Sequence, residues 1–307
     1  MSRNSDQDNN TAARPIERVS VLGAGTMGHG IAQVAAAAGY DVVMRDIDDA
    51  AAQRGLQAIE RNLAKGVQVG KVTEAEREQA LQRIRLTTDL ADIRDSDLVI
   101  EAAPEKLELK QNLLRETEPH VGSNCIFATN TSSLSITEVA RASARPANVI
   151  GMHFFNPVHI MRLIEIVVGG ETSDEATATV RAVAERMKKE PIIVRDVPGF
   201  ASSRLGVTLG LEAMRMVEQG VASARDIDKA MELGYNHPVG PLKLTDMVGL
   251  DVRLSIAEYL HHALKSETFR PPEILRHLVS EGKLGKKTGE GFYKWNDPEP
   301  GQPAYTS

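Results

Sequence analysis

Residues 23–28 read Gly-Ala-Gly-Thr-Met-Gly, and this GxGxxG sequence constrains the fold more than any other stretch of the chain. It follows the short β-branched run Arg18–Leu22 and opens the alanine-rich stretch Met27–Ala38, which stops at Gly39 as a helix with a glycine cap does. The glycine pattern alone is a weak signal, but between a strand and a helix it marks a dinucleotide-binding corner. The first glycine permits the tight turn, the second lets the backbone approach a pyrophosphate, and the third lets helix and strand pack closely. The helix start adds unpaired N–H groups and a positive dipole end. Gly23, Gly25, Thr26, Met27 and Gly28 are therefore candidate cofactor contacts. The second expected strand, Asp41–Arg45, ends beside Asp46, roughly 20 residues past the motif, where a carboxylate accepts hydrogen bonds from the adenosine ribose and repels a 2′-phosphate. NAD is favoured over NADP, although Arg45 pulls the other way, since arginine accepts a 2′-phosphate. Context and spacing disfavour the alternative, a glycine turn of no function with Asp46 as a solvated acid.

The alternation of elements continues downstream. Ala50–Val69 and Glu74–Arg83 read as charged helices, Asp97–Ala103 (DLVIEAA) as a buried strand and Lys106–Glu118 as a helix. Cys125–Thr129, Val149–Phe155, Leu163–Val168 and Ile192–Val194 read as strands, and Asp174–Lys189 as a helix. This pattern predicts an α/β fold: a Rossmann-type doubly wound, mostly parallel sheet with helices on both faces. From Phe200 to about Ser280 the sequence is mainly helical, with punctuation at Gly220, Gly234, Pro241 and Pro271-Pro272. The expected organisation is a disordered leader over 1–14, a dinucleotide-binding domain over 15–197, a helical C-terminal domain over 198–295 and a frayed tail over 296–307. With 307 residues, 42% of them hydrophobic, a sizeable core is available. The net charge of −6 argues against a general nucleic-acid binder. Cys125 is the single cysteine, so no internal disulfide forms, and a reducing, cytoplasmic setting is expected. The polar leader is unlike a signal peptide, and no apolar run is long enough for a membrane span.

A second constellation lies in Gly151-Met-His-Phe-Phe-Asn-Pro-Val-His-Ile-Met-Arg-Leu-Ile-Glu165. His153 closes an apolar strand, Asn156-Pro157 signals a turn, and Glu165 lies in the next apolar run. In an antiparallel hairpin centred on His159, His153 and Glu165 fall opposite one another on one face. A one-residue slip would separate them. Oxidising a secondary alcohol requires removal of the hydroxyl proton as hydride departs, and an imidazole titrating near neutrality suits both directions. The glutamate would hold one ring nitrogen, fix the tautomer and stabilise the imidazolium, leaving the other nitrogen to act as the base. For an isolated pair a structural histidine beside a satisfied glutamate is the commoner outcome; the dinucleotide motif upstream shifts the balance. His159 is a competing base, without an evident partner, and His29 reads as a first-turn helix residue. The remaining histidines show no metal-ligand spacing, so no metal site is expected. Asn130-Thr131-Ser132-Ser133 is a polar cluster at a strand's C-terminal end, where ligands of open α/β sheets bind; Ser133 or Ser135 could instead cap a helix over Ser135–Ala140.

Taken together and in order, VLGAGTMGHGIA, EAAPEKLELK, ATNTSSLSIT, GMHFFNPVHIMRLIEIV, VPGF, NHPVGP and GKLGKKTGEGFYKW make the chain resemble the 3-hydroxyacyl-CoA dehydrogenase family from about Ile16 to Trp295. The resemblance implies NAD-dependent interconversion of L-3-hydroxyacyl-CoA and 3-ketoacyl-CoA, of the kind used in fatty-acid β-oxidation and butanoate metabolism. It implies a dinucleotide domain followed by an all-helical dimerisation domain, and hence a homodimer with an acyl-CoA substrate, with neither nucleic acid nor membrane as partner. It implies His153 as general base, Glu165 as its orienting partner, Ser132 on the substrate oxygen and Asn156 near the nicotinamide and reacting carbon. It places Glu105, Lys110 and Lys287 at cofactor-contacting positions, with Asn130 beside them. Lys287 also reads as part of a solvated basic loop.

The sequence departs from the family at Ser203, where an asparagine usually precedes the arginine that here is Arg204. Serine keeps a donor and an acceptor but reaches less far, which bears on acyl placement rather than on reaction class. CoA is polyanionic, and the stretch with Arg61, Lys65 and Lys71 is the expected cationic approach, Lys65 fitting the family pattern; a charged solvent face is an equal reading. Two rivals stand beside the main one. A dehydrogenase of a free hydroxy acid or sugar acid would share the cofactor loop and the His–Glu pair. A catalytically weak nucleotide-binding structural relative has only Ser203 in its favour. Amphipathic helices such as Gly210–Val217 need a partner surface, which a second copy or the first domain would supply.

Overall fold

The computed structural model describes residues 12–295 and the backbone of the short strand Gln302–Pro303. The expected leader up to residue 11, and the rest of the expected tail, lie outside the described residues. Arg14, assigned to the leader from sequence, is anchored: its N–H donates to Thr179 Oγ1 at 3.0 Å and its guanidinium pairs with Glu175 at 3.0 Å. The chain divides into two compact units, Met1–Val197 and Pro198–Ser307.

The first unit is built on an eight-stranded sheet in the order β3-β2-β1-β4-β5-β6-β7-β8. Its strands are β1 Arg18–Leu22, β2 Asp41–Arg45, β3 Ile84–Thr87, β4 Leu98–Glu101, β5 Ile126–Thr129, β6 Val149–Phe154, β7 Leu163–Val168 and β8 Glu190–Arg195. All neighbours pair in parallel except β6 and β7. Because β1 leads outward to β2 on one side and the chain returns to β4 on the other, the strand order reverses beside β1. The C-terminal ends of β1 and β4 therefore flank the crevice where ligands of such sheets bind. The central strands β4, β5 and β6 are buried throughout and mostly apolar, as strands covered on both faces are.

Six helices cover this sheet: α1 Gly28–Ala37, α2 Asp49–Gln68, α3 Glu74–Gln82, α4 Leu107–Thr117, α5 Ile136–Ala140 and α6 Asp174–Arg186. Their starts are chemically specified. Asp48 caps α2, Thr73 and Glu76 form a reciprocal capping box on α3, and Ser135 and Ser173 cap α5 and α6. Ser135, not Ser133, is thus the cap for which the sequence offered two candidates. Strand β3 was not anticipated: at the sheet edge, its alternation of Ile84 and Leu86 with Arg85 and Thr87 lasts only four residues, too short to announce a strand. Strand β8 begins two residues earlier than expected. Pro191 is tolerated there because β8 is the other edge and pairs only with β7.

The second unit is helical: α7 Ser202–Glu218, α8 Ala224–Gly234, α9 Pro241–Val248, α10 Leu250–Leu264 and α11 Glu273–Ser280. Its own core gathers Val207, Leu211, Met214, Leu242, Leu260 and Phe292. A two-residue strand, β9 Tyr293–Lys294, pairs with β10 Gln302–Pro303, another element the sequence reading did not foresee. No helix among the described residues is long and apolar enough to cross a membrane.

Candidate active site

The glycine loop connects β1 to α1. Gly23 sits at φ +102°, a conformation that L side chains rarely adopt, and makes the tight turn. A Cβ on Gly28 would lie 1.7 Å from the Gly23 carbonyl oxygen, so only hydrogen fits where the helix closes on the strand. A Cβ on Gly25 would meet nothing within 4 Å, so the backbone there faces open space. One glycine shapes the turn, one permits the close packing and one leaves room for a ligand, which is what a bound pyrophosphate requires. Thr26 and Met27 follow at the helix start, where Thr26 is exposed. His29 lies in the first turn, its Nδ1 2.7 Å from the Gly25 carbonyl.

Asp46 follows β2 and supports this loop. One carboxylate oxygen accepts the Ala24 N–H at 2.7 Å and the other the Ile47 N–H at 2.7 Å. Each oxygen keeps a second lone pair for a ribose hydroxyl. The adjacent Arg45 directs Nε to the Thr88 carbonyl at 3.2 Å, and its charge is engaged with the chain's own backbone. The corner therefore fits a dinucleotide with an unmodified ribose.

At the end of β4 stands a buried network that the sequence reading recognised only in part. Glu101 is fully buried. It accepts from Lys110 Nζ at 2.8 and 3.0 Å, from Thr129 Oγ1 at 2.6 Å and from the Ala103 N–H at 2.5 Å. Lys110 is equally buried and lies 3.5 Å from Glu105. It has no surface of its own to present and reaches the site through its two acidic partners. Glu105 Oε1 in turn accepts from Thr131 Oγ1 at 2.6 Å, from the Ser132 and Ser133 N–H groups at 2.9 and 3.1 Å, and from the Ser132 and Ser133 hydroxyls at 3.3 and 3.1 Å. Partial burial by itself would raise its pKa. The Lys110 charge and these donors outweigh that and hold the carboxyl below the ordinary range. A single carboxylate thus shapes the Ser132 loop. Glu101 and Thr129 are the residues missed, and a glutamate closing the apolar run DLVIEAA was the available signal, because a buried charge demands a partner.

The third component is the β6–β7 hairpin. His153 and Glu165 are cross-strand partners, the register that symmetry about residue 159 requires. The His153 Nδ1 lies 2.6 Å from Glu165 Oε2, with Glu165 wholly buried and His153 7% exposed. A carboxylate can only accept, so Nδ1 carries the proton and the tautomer is set. Phe155 packs against the imidazole at 4.5 Å between ring centroids. Asn130 ties the Ser132 loop to the same strand, its Oδ1 accepting the Phe154 N–H at 2.9 Å. Asn156 stands exposed in the turn. His159 is exposed beside it, and burial together with the charges of His29, Lys189 and Lys65 holds its pKa below the ordinary value. Between the two candidate bases it is His153 that has the carboxylate.

Arg61, Lys65 and Lys71 are exposed on and just beyond α2. Ser203 lies in the first turn of α7 in the second unit, and Lys287, also of that unit, pairs with Asp251 at 2.6 Å.

The family model for the 3-hydroxyacyl-CoA dehydrogenase NAD-binding domain matches residues 18–197, and that for the C-terminal domain of the same family matches residues 199–295. A probable 3-hydroxybutyryl-CoA dehydrogenase of Deinococcus radiodurans is 47% identical, over 91% of this chain and 100% of that protein. The mitochondrial hydroxyacyl-coenzyme A dehydrogenase of Homo sapiens is 40% identical, over 91% of each. The crystal structure of an (S)-3-hydroxybutyryl-CoA dehydrogenase from Ralstonia eutropha superposes with a TM-score of 0.88 at 44% identity, covering 90% of this chain and 98% of that one. With both domain models matched in order along nearly its whole length, the chain belongs to the 3-hydroxyacyl-CoA dehydrogenase family.

Proposed function

We propose that the chain uses His153 as general base and Glu165 as its orienting partner in the NAD-dependent interconversion of L-3-hydroxyacyl-CoA and 3-ketoacyl-CoA. The observation that carries this reading is the 2.6 Å contact from His153 Nδ1 to the buried Glu165 carboxylate, at the same sheet edge as the glycine loop. With Nδ1 committed as donor, Nε2 is the atom that accepts the hydroxyl proton in oxidation and returns it in reduction. Glu165 stabilises the imidazolium that forms. When bound, NAD⁺ accepts the hydride that leaves C3 of the hydroxyacyl group.

The other residues take supporting parts. Gly23, Gly25, Thr26, Met27 and Gly28 cradle the pyrophosphate, and Asp46 accepts from the ribose. The Ser132 hydroxyl orients the reacting oxygen, held by Glu105, while Asn130 and Asn156 bracket the His153 strand end. Lys110 acts through Glu105. Lys287 reaches toward the cofactor, Ser203 toward the acyl group, and Lys65, with Arg61 and Lys71, toward the CoA phosphates. The domain reading is a cofactor domain over 15–197 and a substrate and dimerisation domain over 198–295. Leu205, Val221, Leu233, Tyr235 and Met247 are exposed apolar side chains of the second unit, which supports a homodimer. A cytoplasmic location is consistent with the buried, unpaired Cys125.

The test is turnover of acetoacetyl-CoA with NADH by His153→Gln. We expect loss of about 10²–10⁴-fold in kcat with NADH binding and fold retained. Wild-type turnover in a folded variant removes His153 from the mechanism. Acetoacetate assayed in parallel separates a CoA ester from a free acid.

A further inference from the structure

We propose that Gly30, Val158 and Lys189 form a spacer that sets the distance between the cofactor-binding helix and the His153–Glu165 pair, making them positioning residues for the reaction. The inference rests on the reading of His153 as base and adds how the fold places it.

The GxGxxG motif ends at Gly28, but a fourth glycine follows at position 30, two residues further into the helix. Gly30 is buried in α1, and a Cβ there would lie 2.8 Å from Val158 Cβ and 3.0 Å from its Cγ2, closer than real side chains approach. Helix chemistry gives no reason for glycine at this site, since alanine is the better helix former. The reason is Val158, which is 2% exposed and seated directly on the α1 backbone. A β-branched side chain is stiff about χ1, and the contact is at its Cβ, next to the main chain. Val158 therefore cannot swing aside, and a displacement there moves the turn itself.

That turn joins the two catalytic strands, with His153 before it and Glu165 after it. The Ile160 and Met161 N–H groups close it onto the Pro157 carbonyl at 3.0 and 2.9 Å. Lys189 grips the same turn. Its ammonium donates to the carbonyl of Val158 and, at 2.8 Å, to that of Met161. Lys189 is 8% exposed, and burial lowers its pKa. These two carbonyls are the acceptors that compensate a desolvated charge. Lys189 lies just before β8, which pairs with β7, and the Glu190 N–H donates to the Arg162 carbonyl at 2.8 Å. The turn is thus tied both to α1 and to the strand beside Glu165.

The experiment uses the full-length chain and compares G30A, V158G, the G30A/V158G pair and K189M, with H153Q in the same series. Each is measured for kcat and KM with acetoacetyl-CoA and NADH, for NADH affinity and for melting temperature. We expect G30A to lower kcat about tenfold, since sub-ångström misplacement at a reacting centre is costly, while NADH affinity stays within about twofold. The double variant should recover to the level of V158G alone, because glycine at 158 leaves only its Cα, at 3.8 Å, facing the new methyl, a non-additivity that a general loss of stability does not produce. K189M, which keeps the volume and removes both hydrogen bonds, should lower kcat with the same sparing of NADH affinity. Wild-type kcat in G30A, or a double variant no better than G30A, overturns the spacer. If G30A does not fold, K189M decides, and wild-type kcat there overturns it. H153Q at wild-type turnover would instead remove the base assignment, so the two failures are distinguishable.

Discussion

Each unit of this protein buries carboxylates, and the two sets are held in opposite ways. In the first unit buried Glu101 faces Lys110 and buried Glu165 faces His153, while Glu105, its side chain 35% exposed, faces Lys110 and three hydroxyls. In the second unit Asp228 and Asp246 face no cation in their networks. Asp228 accepts the Leu242 and Lys243 N–H groups at 2.8 and 2.9 Å and the Tyr293 hydroxyl at 2.6 Å. Asp246 accepts the Phe292 and Tyr293 N–H groups and Trp295 Nε1, each at 2.9 Å. Burial accordingly raises the pKa of both aspartates, whereas Glu105 is lowered. The aspartates pin the start of α9 and the segment around β9 with neutral donors, and their networks end within the fold. The first-unit networks end at Ser132, Ser133 and the imidazole, at the carboxyl edge of the sheet. Burial of a carboxylate is therefore no guide to its role; what lies at the far end of its hydrogen bonds is.

That contrast can be broken by substitution. The largest effect should come from Lys110→Met, which strands Glu101 as an unpaired buried charge and should cost about 3–5 kcal/mol in denaturant unfolding. A loss under about 1 kcal/mol would mean that the pair is not buried as an ion pair. Next, Glu165→Gln should cut kcat about 10²-fold, since the amide can present the wrong group to Nδ1, with little change in NADH affinity. Unchanged kinetics would end the orienting role. Asp246→Asn should show the reverse pattern, losing about 1–3 kcal/mol of stability because its NH₂ faces existing donors, with kcat of the folded fraction preserved. If it loses activity before stability, the second network is not merely architectural.

The smallest effect is in pH dependence, where the signs differ between the units. Glu105 is depressed below its ordinary 4.5, so the stability it contributes is complete above that value and is lost as pH falls through the folded pKa. Asp228 and Asp246 are raised above 3.8, so between that value and their folded pKa the native state binds the extra protons. Their contribution declines as pH rises through this window and is constant above it. Melting temperature followed through the acidic range should therefore diverge from wild type in opposite senses for Glu105→Gln and Asp246→Asn. Parallel curves would mean that the two environments are not electrostatically distinct.

Local chemistry made much of this legible beforehand. The glycine corner, the alternation of strands and helices and the change of character at Pro198 follow from turn stereochemistry and periodicity, which act over a few residues. The His153–Glu165 pairing was accessible because a hairpin's register is symmetric about its turn. Strand β3 was not, because four residues with a central arginine become a strand only when β2 offers them an edge. Resemblance put Lys110 at a cofactor-contacting position, and nothing in EKLELK says that its ammonium is drawn inward to Glu101.

From sequence alone came most of the order of elements, the cofactor corner and the types of residue that could do the chemistry, since each is set by neighbours along the chain. Which of those residues meet was decided by tertiary structure. The Glu105 grip on the Ser132 loop and the seating of Val158 on Gly30 join segments far apart in the chain. Such contacts depend on distances of a few tenths of an ångström, and these exist only once the sheet has assembled.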